Sequence, residues 1–572
     1  MASTSPGSNK PTPPRSKQQS ENSSRNKSMP SPGPPAKLGA FPGRAVAAAL
    51  ACQITLLCLA GWQNDYMLNT DGVAYLRIAS YYADGQTHLM ISGYWGPLIS
   101  WLMAPLLALG VPPLATGRVV MGLSAVIFWF GCISVFRSFR IPALGLMAGA
   151  WLAAFVSIWW SVEYIAPDLL LAGLICLAVA QMVSPAWLEN WRTAALAGAL
   201  WGAAYFAKAV AFPLAVITSL VFAAIWSVDN NKNRRRVLSS LAITILVFLF
   251  MATPWISVLS MKYHKLTFST TAAIAHAVVG PPDVDRYHPF GRTFHRPEPG
   301  RLTSWEDPSV MKYNYWSPFA NKEYATHQLK LIARNFQTIV CLLWGFDRIG
   351  IGLLALLGCL AVPSPWREKL SQERWRWAIV PVVCLSGIYL PVYIQKVDGR
   401  YFYAAYPFLW VAVVGATDQL TARIFRDWLR KALVALVLVS FAVGPAIRAV
   451  AAVEGIQDAA SIFAQVFANK LKATGIQGPI AGSAMIVGGR TGLYVAFLLN
   501  QPWYGDEPNP TATSFKKSGA KLILLRRQSK VLAELAWDSA FRDLDERLFS
   551  STQEASGYPL KVYEVITPGN GR

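Results

Sequence analysis

Apolar runs of membrane-spanning length alternate with short polar connectors over most of the chain. They cover residues 45–62, 117–136, 141–161, 168–187, 193–211, 212–228, 237–259, 346–364, 377–395, 401–418 and 432–451. A helix needs roughly 20 apolar residues to cross a bilayer, so the pattern predicts an all-α polytopic membrane protein of about 11 transmembrane helices. The segment Pro97–Pro112 is also apolar. It carries Pro97 and Pro105, and its 16 residues reach only about 24 Å as a helix, so it is read as a juxtamembrane helix. The stretch 328–344 gets the same reading.

Charge agrees with this layout. Lys and Arg outnumber Asp and Glu to give +21, yet charged residues are only 15% of the chain, against 53% hydrophobic. Arg137 and Arg140, Arg192, Arg234–Arg236, Arg367 to Arg376 and Arg423 to Lys431 fall on one side of the alternation, the positive-inside pattern. A nucleic-acid partner is excluded on that ground, since the basic residues sit between spans instead of forming one face. All seven cysteines lie in apolar runs, so neither a disulfide framework nor a zinc motif is supported. Residues 1–44, rich in Ser, Pro and Asn, are expected to be a disordered basic cytoplasmic tail. Segments 63–116 and 260–330 then face outward. Beyond the membrane domain, 45–451, residues 452–572 change character. Gly478–Val487, Ala520–Leu525 and Leu560–Ile566 read as strands and Thr491–Leu499 as a helix, predicting a small extracytoplasmic α/β domain. Its Gly488-Gly489-Arg490 lacks nucleotide-binding spacing and is read as a turn.

The residues that can carry chemistry cluster at the outer ends of spans. In Asn69-Thr70-Asp71-Gly72-Val73-Ala74-Tyr75, helical spacing puts Asp71, Tyr75, Ile78 and Tyr82 on one face. Asp71 alone could be an N-cap, a metal ligand or a general base. Tyr94-Trp95-Gly96-Pro97 can wall a sugar ring or belong to an interfacial aromatic belt. The six histidines all fall in outward segments and show no zinc spacing.

The ordered set TDGVAYLRIASYYADG, GYWGPLISWLMAPLLALG, Arg118, Ile165-Ala166-Pro167-Asp168-Leu169, Tyr205-Phe206-Ala207-Lys208 and Asp398-Gly399-Arg400-Tyr401 resembles the GT-C glycosyltransferases. The likeness is to the bacterial branch related to protein mannosyltransferases and to the lipid A aminoarabinose and galacturonic acid transferases. It covers residues 45–420 and, more weakly, the C-terminal domain.

The resemblance implies a GT-C-like fold in the plasma (inner) membrane, with the N-terminus cytoplasmic. It further implies an enzyme that moves a sugar from a polyprenyl-phosphate carrier to an envelope glycan, lipid or protein acceptor, with inversion. Asp71 matches the family's first-loop acid and would be the base. The family often has Asp-Glu where this chain has Asp71-Gly72. Lys208, Arg400 and Arg348 would hold the lipid phosphate, and Tyr75, Tyr94 and Trp95 would contact sugar. Asp168 matches a frequent family acid. With Glu163 it would orient the acceptor, join Asp71 around Mg or Mn, or cap a helix. The competing readings are a lipid or lipid-linked-sugar transporter or flippase, and a non-catalytic assembly protein. The first is disfavoured because the chain shows no internal repeat and no midplane charge.

Overall fold

A computed structural model describes residues 43–229, 234–345, 374–392, 399–424, 426–483 and 491–566. The tail, the predicted run 346–364, Arg348 and Gly488-Gly489-Arg490 lie outside the described residues. The chain is mostly helical, with one small sheet near the C-terminus.

The first helices are α1 (Gly43–Gln63), α2 (Thr70–Ala83), α3 (Leu98–Ala108), α4 (Pro113–Ser138), α5 (Ala143–Glu163) and α6 (Asp168–Val183). They are followed by the one-turn α7 (Ala186–Glu189), α8 (Trp191–Ala207), α9 (Ala211–Asp229), α10 (Arg234–Lys262), α11 (Thr271–Val278) and α12 (Lys322–Gly345). Among the described residues, five helices are long and apolar enough to cross a membrane: α1, α4, α5, α9 and α10. The other predicted runs fall on shorter helices, on partly described segments or outside the described residues. The predicted count of eleven is thus met by five. The protein is a membrane protein, and apolar side chains such as Leu246 and Phe250 of α10 point outward, as a lipid-facing surface requires.

Polar residues tie the helices where lipid offers no hydrophobic incentive for them to associate. Gln53 of α1 donates to Ser157 Oγ of α5 at 2.7 Å and to the Ala125 carbonyl of α4 at 3.2 Å. Arg118 of α4 is buried and donates to the Met67 carbonyl at 2.6 Å and the Val162 carbonyl at 2.8 Å. This residue of the recognised pattern is thus a brace that fixes the entry to α2 against the end of α5. The proline-bearing segment folds as the short α3, only 11 residues long, packed on α2. The stretch 328–344 belongs to a longer helix than expected, α12, which begins at Lys322.

The C-terminal part of the chain holds a five-stranded sheet in the order β2-β1-β3-β5-β4. Its strands are β1 (Ile480–Ser483), β2 (Trp503–Glu507), β3 (Leu522–Arg526), β4 (Phe541–Asp543) and β5 (Leu560–Val565). β1 runs parallel to β2 and β3, and β5 antiparallel to β3 and β4. Alternate β3 side chains serve two cores, Leu522 and Leu524 on one face and Ile523 and Leu525 on the other. The edge of β2 is covered by the loop between α11 and α12. Trp503 N–H donates to the Leu302 carbonyl at 2.7 Å, and His295 N–H to the Tyr504 carbonyl at 2.6 Å.

Candidate active site

The site starts at the loop before α2. Asn69 is the residue ahead of the helix, but its side chain makes no capping bond. It reaches across to Ile165, accepting from its N–H at 2.9 Å and donating to its carbonyl at 3.4 Å. That exchange holds the Ile165-Ala166-Pro167-Asp168 turn beside the first turn of α2. Asp71 lies one residue inside the helix, where the positive end of the macrodipole favours a carboxylate. It is not a cap: its carboxylate accepts from Arg400 at 2.8 Å. The departure from the Asp-Glu pattern has a steric cause. A Cβ at Gly72 would sit 2.6 Å from Asn69 Oδ1 and 3.0 Å from the Ile165 Cβ. A second acid would break the Asn69 clasp.

Three further charges complete the cluster. Asp168 opens α6 and is buried, and Lys208, directly after α8, donates to it at 2.6 Å. Arg400, in the single turn Gly399–Phe402, bridges both acids, with its second nitrogen 3.8 Å from Asp168. Two carboxylates and two cations therefore balance. The cations also rest on aromatic faces, Lys208 4.1 Å from the Tyr401 ring centre and Arg400 4.9 Å from that of Tyr164. Gly96 permits this assembly, because a Cβ there would strike the Ala207 carbonyl. The Tyr94-Trp95-Gly96-Pro97 turn can thus lie flat on the end of α8, next to Lys208.

All four charges line one cavity of about 410 Å³. Its aromatic wall stacks edge to face: Tyr75 and Trp95 with ring centres 5.1 Å apart, Tyr94 and Trp95 4.7 Å, Trp95 and Trp305 5.3 Å, and His288 and Trp305 4.8 Å. Burial among these rings pulls the His288 imidazole down to about 4, against an opposing pull from Asp71, so it is neutral at physiological pH.

The loop carrying Trp305 is anchored from below. Glu306 is fully buried, and burial raises its pKa even though Arg77 and Tyr81 face it. It accepts from Tyr81 at 2.6 Å and from the Leu302 and Thr303 N–H groups at 2.9 and 3.0 Å. Asp307, also fully buried, takes Lys262 at 2.6 Å and Tyr263 at 2.9 Å. Arg301 stands 3.7 and 3.8 Å from the two acids.

The structure brings together Asp71, Asp168, Lys208, Arg400, Tyr75, Tyr94 and Trp95 of the predicted residues. Glu163 is placed otherwise: it accepts from Trp159 at 3.0 Å and Tyr403 at 3.4 Å and is not among the residues lining the cavity. Arg348 lies outside the described residues. A divalent ion does not fit the donor set seen here. Both cavity carboxylates are held by cations, and among the described residues no group of three ligating side chains converges. Sequence reasoning missed Trp305, His288 and Glu306. One signal was present: Thr303-Ser304-Trp305-Glu306 has capping-box spacing, and both reciprocal bonds form.

No protein-family model matches the chain, and no curated protein matches it by sequence. Solved structures do match in fold. ArnT from Cupriavidus metallidurans bound to undecaprenyl phosphate aligns over 91% of this chain and 97% of its own, with a TM-score of 0.56 at 14% identity. The apo oligosaccharyltransferase of Archaeoglobus fulgidus aligns over 84% of this chain and 69% of its own, with a TM-score of 0.48 at 11% identity. The mycobacterial arabinofuranosyltransferase AftD aligns over 92% and 40%, with a TM-score of 0.44 at 13% identity. The protein is built on the fold of the GT-C glycosyltransferases.

Proposed function

We propose that the protein is a glycosyltransferase that moves a sugar from a polyprenyl-phosphate carrier to an acceptor hydroxyl on the outer side of the inner membrane. The observation that carries this reading is the balanced quartet of Asp71, Arg400, Asp168 and Lys208 around one aromatic-walled cavity. The ArnT structure of the same fold holds undecaprenyl phosphate, which supports a polyprenyl carrier.

Arg400 donates a hydrogen bond to Asp71 at 2.8 Å. A donor phosphate would compete for the same guanidinium and for Lys208, in the bidentate and point-charge modes these side chains offer. Donor binding thus frees Asp71 as it loads the sugar. Asp71 then takes the acceptor proton while the acceptor oxygen bonds to the anomeric carbon. The bond from that carbon to the phosphate oxygen breaks on the opposite face, which inverts the centre. The leaving lipid phosphate gains negative charge, and Lys208 and Arg400 stabilise it. Tyr75, Tyr94 and Trp95 flank the sugar.

The test is mass spectrometry of envelope glycans and glycolipids from a deletion strain, the strain restored with wild type, and the strain carrying Asp71→Asn at matched protein level. One sugar-sized mass shift should vanish on deletion, return with wild type and stay absent with Asp71→Asn. Full restoration by Asp71→Asn would remove Asp71 as the base. Unchanged glycans with an altered lipid distribution across the membrane would replace the reading with a transporter.

A further inference from the structure

A second cavity, of about 340 Å³, lies in the second outward segment, in the size range of small-ligand sites, roughly 300–1,000 Å³. The chain from Tyr287 to Pro289 borders both cavities. Tyr287 and Pro289 line the outer cavity and His288 the inner one. The reason is the backbone: His288 is extended, at φ −76° and ψ 117°, and successive side chains of an extended chain point to opposite sides. The partition is therefore one residue thick. It is closed by a hydrogen bond of 3.1 Å between His288 Nδ1 and the hydroxyl of Tyr313, itself a wall of the outer cavity.

The outer cavity has the chemistry of a saccharide site. Tyr287 and Tyr313 offer aromatic faces for the apolar side of a sugar ring, while Thr293, Lys312 and Asn314 offer donors and acceptors for its hydroxyls. Lys312 and Asp285 are exposed at its rim. Arg286 is the brace. It donates to the Pro281 carbonyl at 3.0 Å, to Asp283 at 3.1 Å and to the Asn314 carbonyl, closing the loop around the space.

We propose that this outer cavity is the acceptor site and that it takes the end of a glycan. The reacting hydroxyl takes the place of the Tyr313 hydroxyl at the His288–Tyr313 hydrogen bond and passes there toward Asp71. The assignment rests on the transferase reading of the inner cavity. It selects among the acceptors that reading leaves open, a saccharide instead of a protein side chain or a lipid headgroup without sugar.

The experiment uses the full chain in two assays. Cells of the deletion strain carry wild type, Asp71→Asn, the double variant Tyr287→Ala/Lys312→Ala, or Thr293→Trp, which fills the cavity. Their envelope product is measured by mass spectrometry and its linkage determined. The purified proteins are titrated with undecaprenyl phosphate. Both cavity variants should lower product about tenfold or more while lipid-phosphate affinity stays within about twofold of wild type, and the new sugar should be linked to a saccharide hydroxyl. Wild-type product from both cavity variants, with Asp71→Asn inactive, overturns the acceptor site and leaves the transferase reading standing. A parallel loss of lipid-phosphate affinity in both, or a product linked to protein or to a sugar-free lipid, also overturns it. If wild type makes no product beyond the deletion, the transferase reading falls and takes the acceptor site with it.

Discussion

Asp71, Asp168, Lys208 and Arg400 form one cluster of charges beside α2, and Glu306, Asp307, Arg301 and Lys262 form another. Each sets two acids against cations, with Arg77 as a third cation in the second, yet they differ in what else satisfies them. In the second, both carboxylates are fully buried and take bonds from Tyr81, Tyr263 and backbone N–H groups as well as from cations. In the first, Asp71 and Arg400 keep 17% and 13% of their side-chain surface exposed, Lys208 keeps 23%, and all three line a cavity. An ion pair marks a site only where its partners can be exchanged. A pair saturated by fixed groups is a fastener.

That contrast can be broken or sharpened by substitution. The largest effect is expected from Asp71→Asn, which should lower product about 10²–10⁴-fold, the usual worth of a positioned proton acceptor, with little change in melting temperature. Glu306→Ala should do the reverse in kind. It leaves Arg301 and Arg77 facing a buried hole, which costs about 3–5 kcal/mol, read as a lowered melting temperature in detergent. If Glu306→Ala instead melts like wild type and only loses product, the fastener reading is wrong. Gly96→Ala forces a methyl against the Ala207 carbonyl and should cost about 1–3 kcal/mol. Because the strain falls beside Lys208, undecaprenyl phosphate binding should weaken too.

Lys208→Ala should weaken undecaprenyl phosphate binding about tenfold, or ~1.4 kcal/mol, because Arg400 remains to hold the phosphate. The last effect concerns pH and shows only in acid. The folded His288 pKa is about 4, below its ordinary 6.5, so the native state binds fewer protons between those values. Its contribution to stability is complete above about 6.5 and is lost as pH falls toward 4. The melting temperature of wild type should therefore fall more steeply than that of His288→Gln over that window, and equally above it.

Much of the first cluster was legible from residue order, because α2, α6 and α8 are regular and each presents its charge at a helix end. Asp71 and Asp168 were both open to a capping role. The structure decides against it for each, since their carboxylates go to Arg400 and Lys208. The loop between α11 and α12 was not legible. Residues 279–321 carry no helical or strand period, and their fold depends on contacts with α2, α10 and β2 that lie far away in sequence. β2 and β4 were missed for a related reason. Trp503–Glu507 contains Gly505-Asp506-Glu507, Phe541–Asp543 is three residues long, and both sit at sheet edges without an apolar run to mark them.

The cover that Leu302 and His295 place on β2 has a consequence for how the protein is made. The loop bearing His288 and Trp305 emerges about 200 residues before the strand it leans on, and domains form in the order in which the chain is synthesised. During that interval the aromatic wall has Glu306 and Asp307 to hold it but nothing along its outer flank. The bonds from Trp503 to Leu302 and from His295 to Tyr504 form only once β2 has been made. A nascent chain therefore carries its charges and its lipid-facing helices well before the strand that backs this loop exists, and the aromatic wall gains its last support at the end of synthesis.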